Sequence, residues 1–482
     1  MAEAKDTVNT QCAAYRQMSA KWTLLHDLLG GTSAMRSAGE RWLPREQDEK
    51  DLNYKARLGR SILFGGYGDT VEKLAAKPFS KPVTIQGELP EQLAPMSNDV
   101  DGSGYSLTQF GQDVFRSALK YGLTHVLVDY PKVEGSPDLG TERQLALRPR
   151  FVLVEPPQLI GWTFDKAANG QPVLTSIRIR EQECRKEGTF GDKIVQQIRV
   201  YTTDHWELWE QPEKEWVKVG EGVHTFGGIP LATCYFQRSG LMTADPPLED
   251  LAWLNLAHWQ SMSDQRNILR FARFALLFAK GFKDNEVEKG FSVGPSNVIS
   301  TTNPEADLKY VEHTGSAIDA GEEDIKRLEQ RMEVLSMQPL IRQSGDVKAT
   351  GMAINESKSQ SEIQAWIRNL EAGIRQSFDL ACRWIGAELP DDFKVDIFNE
   401  FNLVLGASSD TGELLKVWQG NGITHETYLR EVKRRGLLSE NLDVDQEVEN
   451  VKAQGPALAG IGAGGGAGAG GADAGSEQPV LE

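Results

Sequence analysis

The motif in the sequence that most resembles a metal-binding site is a short acidic loop from Asp99 to Gly104. Oxygen-bearing side chains stand at its first, third and fifth positions and a glycine at its sixth, as in the first half of an EF-hand calcium loop. The twelfth position is Phe110, where calcium needs a bidentate glutamate. A polar turn into a helix capped by Ser106, with Gln109 three residues on, explains the same pattern without a metal. We therefore favour the turn and keep a bound ion as the alternative.

The second candidate for chemistry is a run of carboxylates, Glu322, Glu323 and Asp324, which could serve an acid–base hydrolase. We expect these residues in the first turn of a helix, where acidic side chains interact favourably with the helix dipole, so catalysis is not needed to explain them. The sequence holds no P-loop, nucleophile elbow, zinc-protease motif or kinase catalytic loop, and it matches GxGxxG only within a Gly/Ala-rich tail. We expect a protein that is not an enzyme and binds no cofactor.

Neither the seven histidines nor the four cysteines show the spacing of metal ligands. His258, for example, precedes Asp264 by six residues, so the two do not lie on adjacent turns of a helix. We expect structural histidines, no metal site, and cysteines that are reduced and mostly buried.

The first third of the chain has the 3.6-residue apolar periodicity of helices. A helical run begins at residue 12 and should stop at Gly30-Gly31, and further helices are expected over 50–63 and 107–121. Gly122 is expected to cap the last of these. The short apolar run 124–130 then predicts a buried strand.

The period changes to two over residues 148–237. Short alternating runs separated by Asn-Gly, glycine and proline predict an antiparallel meander. We expect Trp206, Trp209 and Trp216 to pack on one face of its sheet.

Long helices dominate the rest of the chain, which is therefore expected to have an α+β, mainly helical fold. From residue 455 the sequence is rich in glycine and alanine and cannot bury enough apolar surface to order itself, so we predict a disordered tail. The expected elements are, in order, a helix over 248–274, short strands over 275–320, a helix over 322–340, a glycine-bearing turn over 342–351, a long helix over 355–385, a strand over 393–398 and a helical region over 411–450 with Thr424 as an N-cap.

The composition of the 482 residues, with 40% hydrophobic and 25% charged residues, excludes a wholly disordered chain. A net charge of −17 argues against a protein that grips nucleic acid through a broad basic face, but not against one that only guides DNA. No apolar run approaches the ~18 residues of a membrane span. The N-terminus lacks the basic start and apolar core of a signal peptide, so we expect synthesis in the cytoplasm and no membrane partner.

Six dispersed segments resemble the portal proteins of tailed bacteriophages, and in particular one family known only as a phage domain of unknown function. In chain order they are GERWLPREQDE (39–49), TVEKLAAKPFSKPV (70–83), YGLTHVLVDYP (121–131), LNLAHWQSMSDQRNILRFARFALLFAKG (254–281), KATGMAINE (348–356) and NGITHETYLREVKRRGLL (421–438). Together they span most of the chain up to about residue 450.

The resemblance implies a portal fold with a wing, two stem helices, a small mixed α/β clip, a tunnel loop with a long helix, and a helical crown. The implied bounds are 1–247 for the wing, 248–274 for stem helix one, 275–320 for the clip, 321–341 for stem helix two, 342–354 for the tunnel loop, 355–409 for the long helix and wing return, 410–454 for the crown and 455–482 for the tail.

The resemblance also implies a ring, usually a dodecamer, at the capsid vertex of a virion assembled in the host cytoplasm. Its implied partners are double-stranded DNA in the channel, the terminase large subunit, head-tail adaptor proteins, and the major capsid and scaffolding proteins. The implied site residues are Arg342, Gln343, Asp346 and Lys348 in the tunnel loop, Glu322, Glu323, Lys326, Glu329 and Glu333 along the stem, and Lys283, Asp284, Glu286 and Glu288 in the clip.

Charge is consistent with this interpretation, because cations paired to phosphates around a ring would act as a brake on moving DNA, whereas an acidic lining would not. Only Arg342 and Lys348 are expected to touch phosphates, briefly, at the constriction. Two alternatives stay open: the loop is a plain connection between helices, or the chain is another phage structural protein such as an adaptor or a scaffold. A carboxylate-dependent hydrolase is the remaining alternative.

Overall fold

The computed structural model describes residues 7–131, 147–213, 215–273, 276–281, 303–311, 315–337, 362–399, 414–420, 422–434, 438, 442 and 444–454. Residues up to Phe401 form one compact unit and the residues from Asn402 a second.

The first unit is a mixed α and β structure, as expected. Its helices are α1 (Ala13–Leu29), α2 (Gly31–Ala38), α3 (Asp51–Arg60), α4 (Gly66–Ala76), α5 (Leu107–Tyr121), α6 (Glu249–Ala272), α7 (Ser316–Met337) and α8 (Glu362–Trp384). Its strands are β1 (Thr84–Gln86), β2 (Leu123–Asp129), β3 (Arg150–Val154), β4 (Leu159–Lys166), β5 (Pro172–Glu187), β6 (Gly191–Thr202), β7 (His205–Glu210), β8 (Val217–Val223), β9 (Leu231–Tyr235), β10 (Arg238–Gly240), β11 (Thr243–Ala244), β12 (Leu276–Lys280), β13 (Asp307–Val311) and β14 (Lys394–Asp396).

The transition from α5 to β2 follows directly from local signals in the sequence. Ser106 accepts a hydrogen bond from the backbone N–H of Gln109 at 3.3 Å and forms a capping box, which starts α5. Gly122 ends the helix with a φ of 83°, and a Cβ there would lie 2.1 Å from the carbonyl oxygen of Asp245. Both helix bounds and the buried strand β2 are confirmed.

The strands of residues 148–237 divide between two sheets, which corrects the expected single meander. Strands β4 to β8 form an antiparallel five-stranded meander, whereas β3 and β9 flank β2 in a separate three-stranded sheet. Periodicity shows that a segment is a strand, but the partner depends on long-range pairing. The tryptophans also separate: Trp209 and Trp216 pack on the main core, while Trp206 packs on a smaller cluster under the meander.

The main core lies where α5, β2 and α8 meet. The apolar side chains that repeat at helical spacing along α8, from Ile363 onward, are buried as one stripe. The ring of Phe378 meets that of Phe151 edge-on and that of Phe393 at a tilt, with 5.1 Å between the centroids in both pairs. His125, on β2, is 2% exposed and its Nδ1 lies 3.0 Å from the hydroxyl of Thr233. Burial lowers the pKa of His125 to about 3.

A buried ion pair fixes α3 to the preceding loop, and two polar contacts join its C-terminal end to α6. Arg57, on α3 and 3% exposed, donates to both carboxylate oxygens of Glu49 at 3.0 and 2.7 Å and to the carbonyl oxygen of Pro44 at 2.7 Å. Arg57 also lies 3.6 Å from a carboxylate oxygen of Asp264 on α6, and the hydroxyls of Ser61 and Ser263 form a buried hydrogen bond of 2.9 Å. These contacts place the end of α3 beside α6.

The second unit contains α9 (His425–Arg434) and α10 (Val444–Gln454), in agreement with the expected helical region. The hydroxyl of Thr424 accepts a hydrogen bond from the backbone N–H of Thr427 at 3.2 Å, which confirms Thr424 as an N-cap. The expected disordered tail, 455–482, lies outside the described residues.

Candidate functional site: the antiparallel helix pair

Of the three expected groups of site residues, the structure describes one. The tunnel-loop residues Arg342, Gln343, Asp346 and Lys348 and the clip residues Lys283, Asp284, Glu286 and Glu288 lie outside the described residues. Expected strands near 291–294 and 297–301 lie outside them as well. The stem residues are all on α7.

Helices α6 and α7 pack against each other in antiparallel directions, with the hairpin of β12 and β13 between them in the sequence. Ile325, Leu328 and Met332 are buried and repeat at helical spacing along α7. Gly321 allows the close approach, since a Cβ there would lie 2.1 Å from the side-chain oxygen of Gln265.

Three polar contacts set the register of the helix pair. His258 Nε2 lies 3.2 Å from a carboxylate oxygen of Glu329, and the hydroxyl of Ser261 donates to Asp324 at 3.3 Å. Gln265 donates to the carbonyl oxygen of Ile318 at 2.9 Å. Successive residues along α6 thus meet residues in reverse order along α7.

The two ends of the pair have different surroundings. Near its N-terminus α6 is buried in the main core through Leu251, Ala252 and Trp259. Near its C-terminus Arg266 and Arg270 are exposed. The pair is therefore anchored at one end, and its other end leads to the hairpin.

Helix α7 begins earlier than expected. It starts at Ser316, so the expected start of this helix at residue 322 is wrong. Its first-turn acid is Asp319, and Glu322 to Asp324 lie beyond the first turn. The helix dipole therefore does not explain those three carboxylates, because its effect falls off within one turn. The helix as observed carries six acidic and three basic side chains, a net charge of −3.

The side chains of α7 are mostly exposed to solvent. Glu322, Glu323, Lys326 and Glu333 are exposed, and Glu323 forms an ion pair with Arg327. Glu329 is half-buried and contacts His258, so its side chain is less exposed than those of the other four expected stem residues.

The acidic loop at residues 99–104 forms a hydrogen-bonded turn. Asp99 Oδ1 accepts from the backbone N–H groups of Gly102 at 2.8 Å and Gly104 at 2.9 Å, and its Oδ2 pairs with Arg148 at 2.7 Å. Burial acts to raise the pKa of Asp99, but these hydrogen bonds and Arg148 prevail and lower it. The contacts support the turn interpretation, since the carboxylate oxygens already have partners.

Within the described ranges, histidine, cysteine and carboxylate side chains do not gather into any group that could hold a metal ion. Cys234 and Cys382 are buried, Cys12 is partly buried and Cys184 is exposed, so the expectation of mostly buried cysteines holds for half of them. None of the helices in the described part of the chain combines the length and apolar character needed to cross a bilayer.

Sequence reasoning missed two features of the helix pair. One is the contact between His258 and Glu329, residues 71 positions apart that only the antiparallel packing joins. The other is a row of arginines, Arg266 and Arg270 on α6 and Arg273 directly after it, whose spacing of four and three residues puts them on one side of the helix end.

Comparison with known proteins gives a match to the same part of the chain. Residues 247–385 match the model of a family described as a domain of unknown function, DUF4055. The match begins beside the first residue of α6 and ends beside the last residue of α8. The chain has no match among curated proteins.

Two solved structures illustrate a weaker similarity. A chain in the virion of the native gene transfer agent (GTA) particle is 11% identical with a TM-score of 0.42, over 82% of this chain and 96% of that one. A chain in the neck of the empty GTA particle, computed with C6 symmetry, is 11% identical with a TM-score of 0.41, over 75% and 86%. At these identities and TM-scores the similarity does not establish a shared fold or function.

Proposed function

We propose that this chain is the portal protein of a tailed bacteriophage. Copies of it would form a ring, with a dodecamer expected, at one capsid vertex, and double-stranded DNA would pass through the ring during packaging and ejection. The observation that carries the proposal is the antiparallel pair α6 and α7, anchored in the core at one end and leading to the β12–β13 hairpin at the other. Two stem helices and a clip in that order are what the resemblance to portal proteins implies.

Exposed apolar side chains support assembly of the helix pair with further copies. Trp253 on α6 is 51% exposed and Val334 on α7 is 65% exposed. Val334 also lines an open cavity of about 440 Å³ with Leu254 and Leu335. Contiguous exposed apolar surface on a folded protein marks an interaction site. Packing against neighbouring subunits would bury these residues.

The charge of α7 supports passage of DNA without retention. With −3 on each copy, a ring places many acidic groups around one axis. Salt screens their field over ~8 Å at physiological ionic strength, so the repulsion acts on DNA that approaches the wall and leaves the centre of a wide channel free. The carboxylates of α7 that face the channel do not hold phosphates, whereas any that face a neighbouring copy take no part in the lining.

The remaining assignments follow the same proposal. The clip residues Lys283, Asp284, Glu286 and Glu288 would dock the terminase large subunit and later the head-tail adaptors. Residues 1–247 would face the major capsid and scaffolding proteins. The protein would act in the virion without enzymatic activity or a cofactor.

The first experiment tests the ring. Full-length protein is purified and measured by negative-stain imaging and mass photometry over a range of concentrations. We expect closed rings with a central hole and a mass that is a whole multiple of the 53.3-kDa chain. Monomers under every condition, including in the presence of a scaffolding protein, would refute the proposal.

The second experiment tests the tunnel loop. Particles are assembled with Arg342→Ala/Lys348→Ala, and the length of packaged DNA is measured. The control is Arg16→Ala/Arg368→Ala, which removes the same charge from exposed positions on α1 and α8. We expect shorter or poorly retained DNA only with the loop variant. Equal DNA length in both would mean that the loop is a plain connection, and the ring proposal would stand.

A further inference from the structure

Five arginines converge on one open groove beside the C-terminal end of α6. The groove has a volume of about 830 Å³ and also contains Ile62 and Leu269. The arginines come from three parts of the chain; they are Arg36 on α2, Arg60 on α3, and Arg266, Arg270 and Arg273 at the end of α6. We refer to this surface as the arginine groove.

The arginine groove has no ion-paired arginine among the described residues. In that part of the chain, no carboxylate lies within ion-pair distance of any of the five guanidinium groups. Arg36 and Arg266 donate only to backbone carbonyl oxygens, of Ser61 at 3.0 Å and of Arg60 at 3.4 Å. Arg270 and Arg273 are exposed. Five like charges at one place repel each other unless a partner neutralises them.

Helix dipoles neutralise only part of this charge. Helices α2, α3 and α6 all end at the groove, and each C-terminus is equivalent to roughly −0.5 elementary charge. Three termini therefore offset roughly 1.5 of the five positive charges. A strongly positive surface is left.

Complementary charge lies on α7 at the same level of the helix pair. The hydrogen bond from Gln265 to the carbonyl oxygen of Ile318 joins α6 and α7 at these two residues. Arg266 directly follows Gln265 and Asp319 directly follows Ile318, so the two charged residues lie at the same height along the helix pair. The acidic end of α7 consists of four exposed side chains, Asp319, Glu322, Glu323 and Asp324. On one copy these acids do not reach the arginines, because α7 packs on the side of α6 that carries Gln265.

We infer that the arginine groove of one copy binds the acidic end of α7 of a neighbouring copy. The inference rests on the proposed ring, in which each interface joins two different surfaces of the same chain. Rotation about the ring axis keeps every residue at the same height along the axis, so the two surfaces that meet must lie at the same height on the chain. Arginine suits such an interface because its planar guanidinium pairs with carboxylates in two-point contacts. The acidic end of α7 is favoured over DNA as the occupant because a ring brings it to the height of the groove, and the test below distinguishes the two.

The test reverses each surface separately. The groove variant is Arg60→Glu/Arg270→Glu/Arg273→Glu, which changes the charge of the groove from +5 to −1 and leaves the backbone contacts of Arg36 and Arg266 in place. The acid variant is Asp319→Arg/Glu322→Arg/Glu323→Arg, at three exposed positions, which changes the charge of the acidic end of α7 from −4 to +2. The control is Arg16→Glu/Lys166→Glu/Arg368→Glu, which changes charge as much as the groove variant does, at exposed positions elsewhere. Circular dichroism and thermal unfolding establish that every variant is folded.

Assembly is measured by mass photometry and negative-stain imaging. We expect each interface variant alone to need a roughly 100-fold higher concentration to form rings, because like charges then face each other, while the control assembles as the wild type does. Mixing the groove variant with the acid variant should restore closed rings, since alternating copies have complementary surfaces and an even-numbered ring can close. A single chain carrying both reversals should also assemble.

The outcomes separate this interface from the proposed ring. If the wild type forms rings and the groove variant forms them equally well, the interface is refuted and the ring stands. If the wild type forms no rings, the proposed ring fails and the interface fails with it. Binding of a fluorescent double-stranded oligonucleotide that is lost in the groove variant, with rings unchanged, would instead identify phosphate as the ligand and overturn the inference.

Discussion

The buried histidine of β2 should make the fold sensitive to mild acid. His125 is neutral in the folded protein because burial lowers its pKa to about 3, whereas an exposed histidine in the unfolded chain titrates near ~6.5. Above that value neither state binds the proton, so the histidine adds no dependence on pH. As the pH falls below it, the unfolded chain binds the proton first, and the free energy of unfolding decreases until the pH approaches the folded pKa.

The size of the effect follows from the two pKa values. Each pH unit between them removes about 1.4 kcal/mol, so lowering the pH from 7 to 5 should remove about 2 kcal/mol. Carboxyl groups contribute little in this range, because even unfolded Asp and Glu side chains titrate mainly below it. We predict that His125→Asn, which no longer titrates, abolishes this loss whatever its stability at neutral pH.

Urea unfolding followed by tryptophan fluorescence at both pH values measures the difference. All variants are compared at one protein concentration, because assembly itself stabilises the folded chain. The matched control is His26→Asn on α1, where the side chain is 78% exposed and the wild-type pH dependence should persist. An equal loss between pH 7 and pH 5 in His125→Asn and in the wild type would refute the reasoning.

Further predictions concern contacts that hold the core, and urea unfolding checks each of them. Gly122→Ala should lower the free energy of unfolding by about 2–4 kcal/mol, because the new Cβ meets backbone, whereas Gly170→Ala, with a similar positive φ but open space, should lose about 1 kcal/mol. Phe378→Ala should lose about 3–5 kcal/mol by leaving a cavity between two rings, and a loss below about 1 kcal/mol would contradict its place in the core. Arg57→Leu should lose about 3–5 kcal/mol because Glu49 stays buried and unpaired, and adding Glu49→Leu should recover most of it.

The sequence predicted elements best where the signal is local. The cap at Ser106, the stop at Gly122 and the apolar stripe of α8 all lie within a few residues of the structure that they specify. It failed at the start of α7, because residues 316–321 have small and polar side chains whose periodicity is weak. In the structure that segment packs on α6, where Gln265 lies against Gly321 and donates to the carbonyl oxygen of Ile318.

Only part of the candidate site could be predicted from the sequence. The family-like order of two helices around a short insert is visible along the chain, as is the acidic character of α7. The tertiary structure alone decided that His258 meets Glu329 and that five arginines share one groove, because those residues come from segments that are far apart in sequence. Spacing along a helix fixes which side chains share a face, but long-range packing decides which other segments that face contacts. The charge of a site is the sum over all the segments that packing brings together, so it cannot be read from one segment alone.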